Sequence, residues 1–131
     1  GEIWGRWFQS NEGLIQLARG DVAGGIETLL DALARFAAAS EIEAEIAMRQ
    51  LGGACVVAGE CPTAVRLYAA AAGIRERRGL GLSVDEAREI DTNCARLQSD
   101  LGKEVFEHEW SAGTEMTVDE INAYARDALG A

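Results

Sequence analysis

Proline is almost absent from this chain: Pro62 is the only one among 131 residues. β-Branched and aromatic residues never form the alternating runs that are typical of half-buried strands. The chain is instead rich in Ala, Leu, Glu and Arg, which favour helices. These features exclude a strand-based fold and predict an all-α domain.

Cysteine is scarce as well. Cys55, Cys61 and Cys94 are odd in number and lack CxxC spacing, whereas secreted disulfide frameworks usually have even, regularly spaced cysteines. Apolar residues make up 48% of the chain, enough for a core without disulfide or metal support, and a chain of this size buries roughly two-thirds of its unfolded surface. We therefore expect reduced thiols, a cytoplasmic protein, and neither a cofactor nor a metal.

Basic residues are too few for a nucleic-acid protein. The chain has 12 Lys and Arg and 22 Asp and Glu, which gives a net charge of −10. Such a surface repels phosphates and anionic membranes. There is no apolar run of about 18 residues and no signal-peptide pattern. We expect protein partners, no direct nucleic-acid contact and no membrane. The chain begins without Met, and we expect it to be part of a longer protein.

Apolar residues recur at helical spacing in seven segments. Predicted capping boxes at Ser40/Glu43, Ser83/Glu86 and Thr117/Glu120 open three of the helices. Ile42 and Ile46, Val84 and Val105 are predicted to face inward. The expected helices are 3–18, 22–38, one after Ser40, one from Pro62 to Arg78, one after Ser83, 103–112, and one after Thr117.

The first two helices align with the next two when the chain is shifted along itself. Gly13 then matches Gly52, Gly20 matches Gly59, and Leu29 matches Tyr68. Small residues at equivalent places let two antiparallel helices approach closely. In the second copy, the spacing of Gly52, Ala64, Tyr68 and Ala71 is that of a tetratricopeptide repeat.

We therefore predict a right-handed, tetratricopeptide-like superhelix of about seven helices in a single domain. Its hairpins span about 3–38 and 41–78, and its C-terminal capping helices span about 84–131. The period is longer than the usual one of about 34 residues, and we expect the extra residues between the second and third helices. Two hairpins are fewer than the three or so that an array normally needs, so the C-terminal helices should complete the packing.

The stretch from Gly59 to the end of the chain carries further motifs. They are Gly59-x-Cys61-Pro62, the Leu101-Gly102-x-x-x-Phe106 segment, Trp110-x-x-Gly113 and Met116-Thr117-Val118. With them the chain resembles the C-terminal helical region of bacterial LuxR-type and signal-transducing ATPase regulators. The resemblance implies a sensor arm behind a nucleotide-binding domain and an output domain. The loop Gly79-Leu80-Gly81-Leu82 departs from relatives, in which this loop is often rich in proline.

In tetratricopeptide arrays the first helix of each hairpin lines a concave surface. With Gly13 and Gly52 at the small position, one set of side chains falls on that surface and forms the predicted partner-binding face. The set is Trp7, Ser10, Leu14, Arg49, Gly53 and Val56.

Other candidate sites have simpler explanations. Glu104 and His108 are spaced like two metal ligands, but two ligands do not make a site. The glutamates at 104, 107 and 109 are predicted to be a solvated helix face, and the arginines at 75, 77 and 78 to complement a helix dipole. Cys55 and Cys94 are expected in the core, and Cys61 at a helix start is somewhat more reactive. No catalytic residues are predicted.

The predicted function is a protein-interaction and regulatory arm of a multidomain bacterial transcriptional or signalling regulator, not an enzyme. The alternative is a small-molecule effector held between the hairpins; a hydrolase using clustered carboxylates has the weakest support. Trp4 and Trp7 open the first hairpin, where exposed aromatic surface predicts a homodimer through the N-terminal repeat edge.

Overall fold

The computed structural model describes the backbone of residues 2–130 and the side chains of residues 9–130. Within this range the chain is all-helical and has no strands, as predicted. Its seven helices are α1 (Glu2–Ala18), α2 (Val22–Ala39), α3 (Glu41–Ala58), α4 (Cys61–Arg78), α5 (Val84–Leu101), α6 (Lys103–Thr114) and α7 (Val118–Leu129). None of these helices combines the length and apolarity that crossing a bilayer requires. The side chains of Trp4 and Trp7 lie outside the described residues.

Ser40 is the whole connection between α2 and α3. Its backbone N–H donates to the carbonyl of Phe36 at 3.0 Å and closes α2, while its hydroxyl accepts from the Glu43 N–H at 3.1 Å and opens α3. The predicted capping box is therefore only half formed. The Glu43 side chain would accept from the Ser40 N–H, but that N–H already donates to the Phe36 carbonyl. Ser83 and Thr117 form complete boxes.

The single-residue connection also corrects the expected place of the extra residues in the repeat. They do not lie between α2 and α3. The helices of the two hairpins are themselves 17 or 18 residues long, and the turn inside each hairpin contains a glycine at positive φ, Gly20 or Gly59.

Both hairpins place a large side chain against a glycine of the preceding helix. An ideal Cβ at Gly13 would lie 2.8 Å from Cγ of Leu29, and one at Gly52 would lie 3.2 Å from the ring of Tyr68. Leu29 and Tyr68 stand equally far along the chain from their glycines, in agreement with the predicted repeat. The two hairpins pack through α2 and α3 around a core of Leu33, Met48, Leu51, Leu67 and Ile74.

The three C-terminal helices do not repeat the hairpin pattern. α6 packs closely on α4, where an ideal Cβ at Gly113 would lie 2.7 Å from the carbonyl oxygen of Arg66. α7 packs against both α2 and α4 through Ile121 and Ala125. α5 lies against α3, α4 and α6, and Leu97 is its one buried residue.

Four residues predicted to face inward are exposed. Ile42 and Ile46 on α3 keep 46% and 39% of their surface accessible, and Val84 and Val105 are exposed as well. Glu86, in the first turn of α5, pairs with Arg49 of α3. α5 therefore begins beside the middle of α3, and no part of α5 lies beside the first one to two turns of α3. Ile42 and Ile46 are in those turns and stay uncovered.

Replacing Gly113 by Ala is expected to destabilise the domain, because the new Cβ would also lie 2.7 Å from the Cβ of Ala69. Overpacking of this kind costs about 1–3 kcal/mol. Gly53→Ala is the matched control: its Cβ would meet the Tyr68 hydroxyl at an ordinary 3.5 Å and should add about 0.5–1 kcal/mol through helix propensity. Urea unfolding measures both changes. A Gly113→Ala variant as stable as the wild type would contradict the close α4–α6 packing.

Candidate functional site

A groove of about 500 Å³ lies between α1, α3 and α5; we name it the α3 groove. Glu86 of α5 meets Arg49 of α3, and Glu89 lies near Gly53, so α5 runs parallel to α3. The lining is apolar at Leu14, Leu17, Ala54, Val56, Val57 and Ile90, and polar or small at Arg49, Gln50, Gly53, Tyr68, Glu86, Glu89, Asn93 and Arg96.

One face of α3 forms a wall of this groove at Arg49, Gly53 and Val57, and the same face continues past the groove lining to Ile42 and Ile46. Residues at spacings of three and four form a single stripe along this helix. They are Ile42, Ile46, Arg49, Gly53 and Val57. The apolar members are all exposed, Val57 to 62%. The stripe is therefore apolar at its two ends and carries Arg49 and Gly53 at its centre.

Tyr68 brings a polar group to the floor of the groove. Its ring packs on Gly52 and only 2% of the residue is exposed, while its hydroxyl oxygen accepts a hydrogen bond from Nδ2 of Asn93 at 2.8 Å. Burial raises the pKa of Tyr68 to about 12, although the bond from Asn93 acts in the opposite direction. No acceptor among the described residues takes the phenol proton, so the hydroxyl can donate into the groove.

A buried carboxylate links the groove to the second hairpin. The side chain of Glu45 is 5% exposed and accepts from two arginines: Arg49 one turn along α3, and Arg75 of α4 at 2.7 Å. Nη1 of Arg49 also donates to Oε2 of Glu86 at 3.0 Å. Arg49 thus connects α3 to the capping box of α5.

The pKa values of this network follow its contacts. Burial acts to lower the pKa of Arg49, but its hydrogen bonds and charge interactions with Glu45 and Glu86 prevail and the pKa is raised. The pKa of Glu86 is lowered, first by the backbone N–H of Ser83 and then by Arg49. Both groups therefore stay charged over the neutral range.

The structure places the predicted partner-binding residues as follows. Leu14, Arg49, Gly53 and Val56 line the α3 groove together. Ser10 is buried and donates to Oε1 of Gln50, so it positions a lining residue from behind. The side chain of Trp7 lies outside the described residues.

The sequence reasoning missed the groove's residues on α5 and its floor. Glu86, Glu89, Asn93 and Arg96 recur at spacings of three and four, which marks a polar stripe on one face of α5. This stripe is a usable signal, but the predicted fold places α5 in the cap rather than in the groove. Tyr68 is predicted only as the aromatic position of the repeat.

The arginine cluster at the end of α4 is paired with α3. Arg75 bonds to Glu45, Arg78 donates to Glu41 at 2.9 Å, and Arg77 lies 3.9 Å from the same carboxylate. These pairs join the C-terminal end of α4 to the N-terminal end of α3. The cluster therefore stabilises the hairpin in addition to complementing the helix dipole.

The remaining candidate residues do not assemble into a catalytic or metal site. His108, Glu104 and Glu107 are exposed on α6, and no group of three potential metal ligands occurs within the described part of the chain. Glu109 departs from the predicted solvated face, because Nε of Arg66 donates to it.

The cysteines differ in burial. Burial raises the pKa of Cys55 to about 12 and that of the half-buried Cys94 to about 11. Both are therefore thiols at neutral pH. Cys55 lies in the core as predicted, whereas Cys94 is only partly buried and packs against the core. Cys61 is half-buried at the start of α4.

No protein-family model, curated protein or solved structure matches this chain.

Glu45→Gln is expected to destabilise the domain by about 2–4 kcal/mol, because it leaves two largely buried arginines without their shared carboxylate. Glu41→Gln makes the same chemical change on the same helix, but Glu41 is far more exposed and should cost at most about 1 kcal/mol. Denaturant unfolding of the two variants gives the comparison. Equal losses would show that the Glu45 network adds nothing beyond a surface ion pair.

Tyr68 should produce a pH dependence above pH 10. Between pH 10 and the folded pKa of about 12, the unfolded chain releases the phenol proton while the folded chain keeps it, so the unfolding free energy falls as pH rises. Tyr68→Phe should remove up to about 2–3 kcal/mol of this fall, and Tyr124→Phe, the control, should retain it. Denaturant unfolding at several alkaline pH values tests this, and parallel curves for the two variants would contradict it.

Proposed function

We propose that this domain is a protein-interaction and regulatory arm, and that the α3 groove binds a segment of a partner protein or of another part of its own chain. The observation that carries the proposal is the exposed apolar stripe of α3, with Ile42, Ile46 and Val57, beside the exposed Leu14 of α1. Exposed apolar side chains gathered on one face are typical of interaction sites. A segment with spaced apolar side chains fits it.

The polar centre of the groove supports selectivity for such a segment. The Tyr68 hydroxyl can donate, the Glu89 carboxylate can accept, and Asn93 holds the hydroxyl in place. The lining carries Arg49 and Arg96 as well as Glu86 and Glu89, but Arg49 is engaged by carboxylates, so the net charge of −10 favours a segment that carries basic residues. Apolar anchors flanking a basic or hydrogen-bonding residue are thus the expected pattern.

The Arg49–Glu86 pair supports a regulatory role. A bound segment that competes for either side chain would loosen the tie between α3 and the start of α5, and would shift the population of α5 positions. This is the behaviour expected of an arm in a larger signalling or transcriptional regulator, the class that residues 59–131 resemble. The groove lining contains neither His nor Cys, and its arginine at 49 is engaged by carboxylates, which favours binding over catalysis.

A small-molecule effector is the second candidate, and the polar floor favours it. The volume of about 500 Å³ lies within the range of ligand pockets, roughly 300–1,000 Å³. Tyr68, Asn93, Gln50 and Glu89 offer several hydrogen-bonding groups within that volume. A polar metabolite would use these groups and leave Ile42 uncovered.

Peptide selection from a displayed random library tests the main proposal. Selected peptides should combine apolar and basic residues. Gly53→Gln places a longer side chain in the groove and should weaken the binding of these peptides by about tenfold or more, equivalent to about 1.4 kcal/mol. Ala95→Gln adds the same side chain at an exposed position of α5 outside the groove lining and should leave binding unchanged. Selected peptides that bind both variants equally would contradict the assignment.

Thermal unfolding against sugars, nucleotides and amino acids tests the second candidate. A ligand at 100 times its dissociation constant adds about 2.7 kcal/mol of stability, which raises the midpoint by several degrees. If a small molecule raises the unfolding midpoint of the wild type and of Ala95→Gln but not that of Gly53→Gln, the groove is its binding site. The absence of any shift, together with selected peptides, would leave the protein segment as the occupant.

A further inference from the structure

A second cleft, distinct from the α3 groove, lies between α5 and α6. Its volume is about 440 Å³, and we name it the aromatic cleft. Phe106 and Trp110, one turn apart on α6, stack with ring centroids 5.8 Å apart and planes inclined by 19°. The lining is Ile90, Asp91 and Cys94 from α5, and Phe106, Glu107, Trp110 and Ser111 from α6.

The floor of the aromatic cleft is apolar and only partly covered. Ile90, Cys94, Phe106 and Trp110 are half-buried and pack on the edge of the core. Part of the stacked rings therefore remains available to a ligand. Aromatic rings attract cations through their electron-rich faces, Trp most strongly.

The charged side chains that line this cleft are all acidic. Asp91 on α5 and Glu107 on α6 contribute a carboxylate from each wall, both residues are exposed, and neither takes part in an ion pair among the described residues. No basic side chain lines the cleft. Two free carboxylates beside a stacked aromatic pair complement an organic cation.

The same chain already holds an arginine in this way on a neighbouring surface. The guanidinium of Arg66 lies 4.5 Å from the centroid of the Tyr124 ring, and its Nε donates to Glu109 of α6. An aromatic ring and a glutamate of α6 thus bind one guanidinium. The aromatic cleft presents the equivalent groups without an arginine of its own.

We propose that the aromatic cleft binds an arginine side chain of a partner polypeptide, with its guanidinium against the Phe106–Trp110 stack and between Asp91 and Glu107. A planar guanidinium stacks on aromatic rings and donates in fixed directions to carboxylates, which a compact ammonium group does not do. Ile90 and Cys94 then receive an apolar side chain that neighbours the arginine. The observations that support this site are separate from those that support the function proposed for the α3 groove.

Nuclear magnetic resonance with acetyl-arginine amide as the probe tests the proposal. The indole N–H signal of Trp110, identified by its loss in Trp110→Phe, should shift on titration. Acetyl-citrulline amide has nearly the same shape without the charge and should produce no comparable shift. A single side chain of this kind binds with a dissociation constant on the order of millimolar. Equal shifts with both probes would overturn the proposal.

A pair of matched charge variants separates the cleft from the general acidity of the protein. Asp91→Asn with Glu107→Gln should weaken arginine binding by about tenfold or more. Asp100→Asn with Glu104→Gln changes net charge equally, on the same two helices and outside the cleft lining, and should leave binding unchanged. Equal weakening in both double variants would mean non-specific attraction and would overturn the proposal.

Two further probes define the occupant. Acetyl-leucyl-arginine amide should bind more tightly than acetyl-arginine amide if an apolar neighbour seats on Ile90 and Cys94. Tetramethylammonium should bind more weakly than arginine, because it cannot donate hydrogen bonds to the carboxylates. A stronger response to tetramethylammonium would overturn the assignment to arginine and indicate a small quaternary ammonium ligand.

Discussion

The buried carboxylate of Glu45 is the interaction on which the arrangement of α3, α4 and α5 depends. A lone charge at 5% exposure would be unstable, so Arg75 and Arg49 must stay beside it. Arg49 then holds Glu86 in turn, and this contact ties the first turn of α5 to α3. The middle of α5 is held to α4 by the hydrogen bond from Asn93 to Tyr68, and Leu97 anchors the helix in the core. The ion-pair network and this hydrogen bond therefore hold α5 at the border of the α3 groove.

Both hairpins pack a large side chain closely against a glycine, but that side chain is apolar in the first hairpin and carries a hydroxyl in the second. Leu29 occupies the space over Gly13 in the first hairpin, and Tyr68 occupies the space over Gly52 in the second. The ring of Tyr68 fills the same role in packing as leucine, but its hydroxyl extends to the groove floor and meets Asn93 of α5. The difference between Leu29 and Tyr68 within the repeat thus adds a polar group to the lining of the α3 groove.

The helices were predictable from the sequence because their signals are local. Serine and threonine caps, glycines at positive φ and apolar periodicity fixed the boundaries to within a few residues, and the glycine matches at 13 and 52 revealed the repeat. The exposed face of α3 was not predictable in the same way. Apolar residues occur all round α3, with Met48 and Leu51 buried and Ile42 and Ile46 exposed, so periodicity cannot select its inner side. That choice depends on how α5 packs beside α3, through contacts between residues far apart in the sequence such as Arg49 and Glu86. The groove residues on α5 were missed for the same reason.

The two proposed sites share α5. Glu86, Glu89 and Asn93 face the α3 groove, Asp91 and Cys94 face the aromatic cleft, and Ile90 lines both. α5 is tied to α3 at its first turn through Arg49 and Glu86 and to α4 at its middle through Asn93 and Tyr68, so a change in its position would alter both surfaces together. Ligands that prefer different positions of α5 would then oppose each other, and ligands that prefer the same position would cooperate, since coupling between two sites is reciprocal. Under the proposed function, the position of α5 would be the variable through which occupancy of one surface is reported at the other.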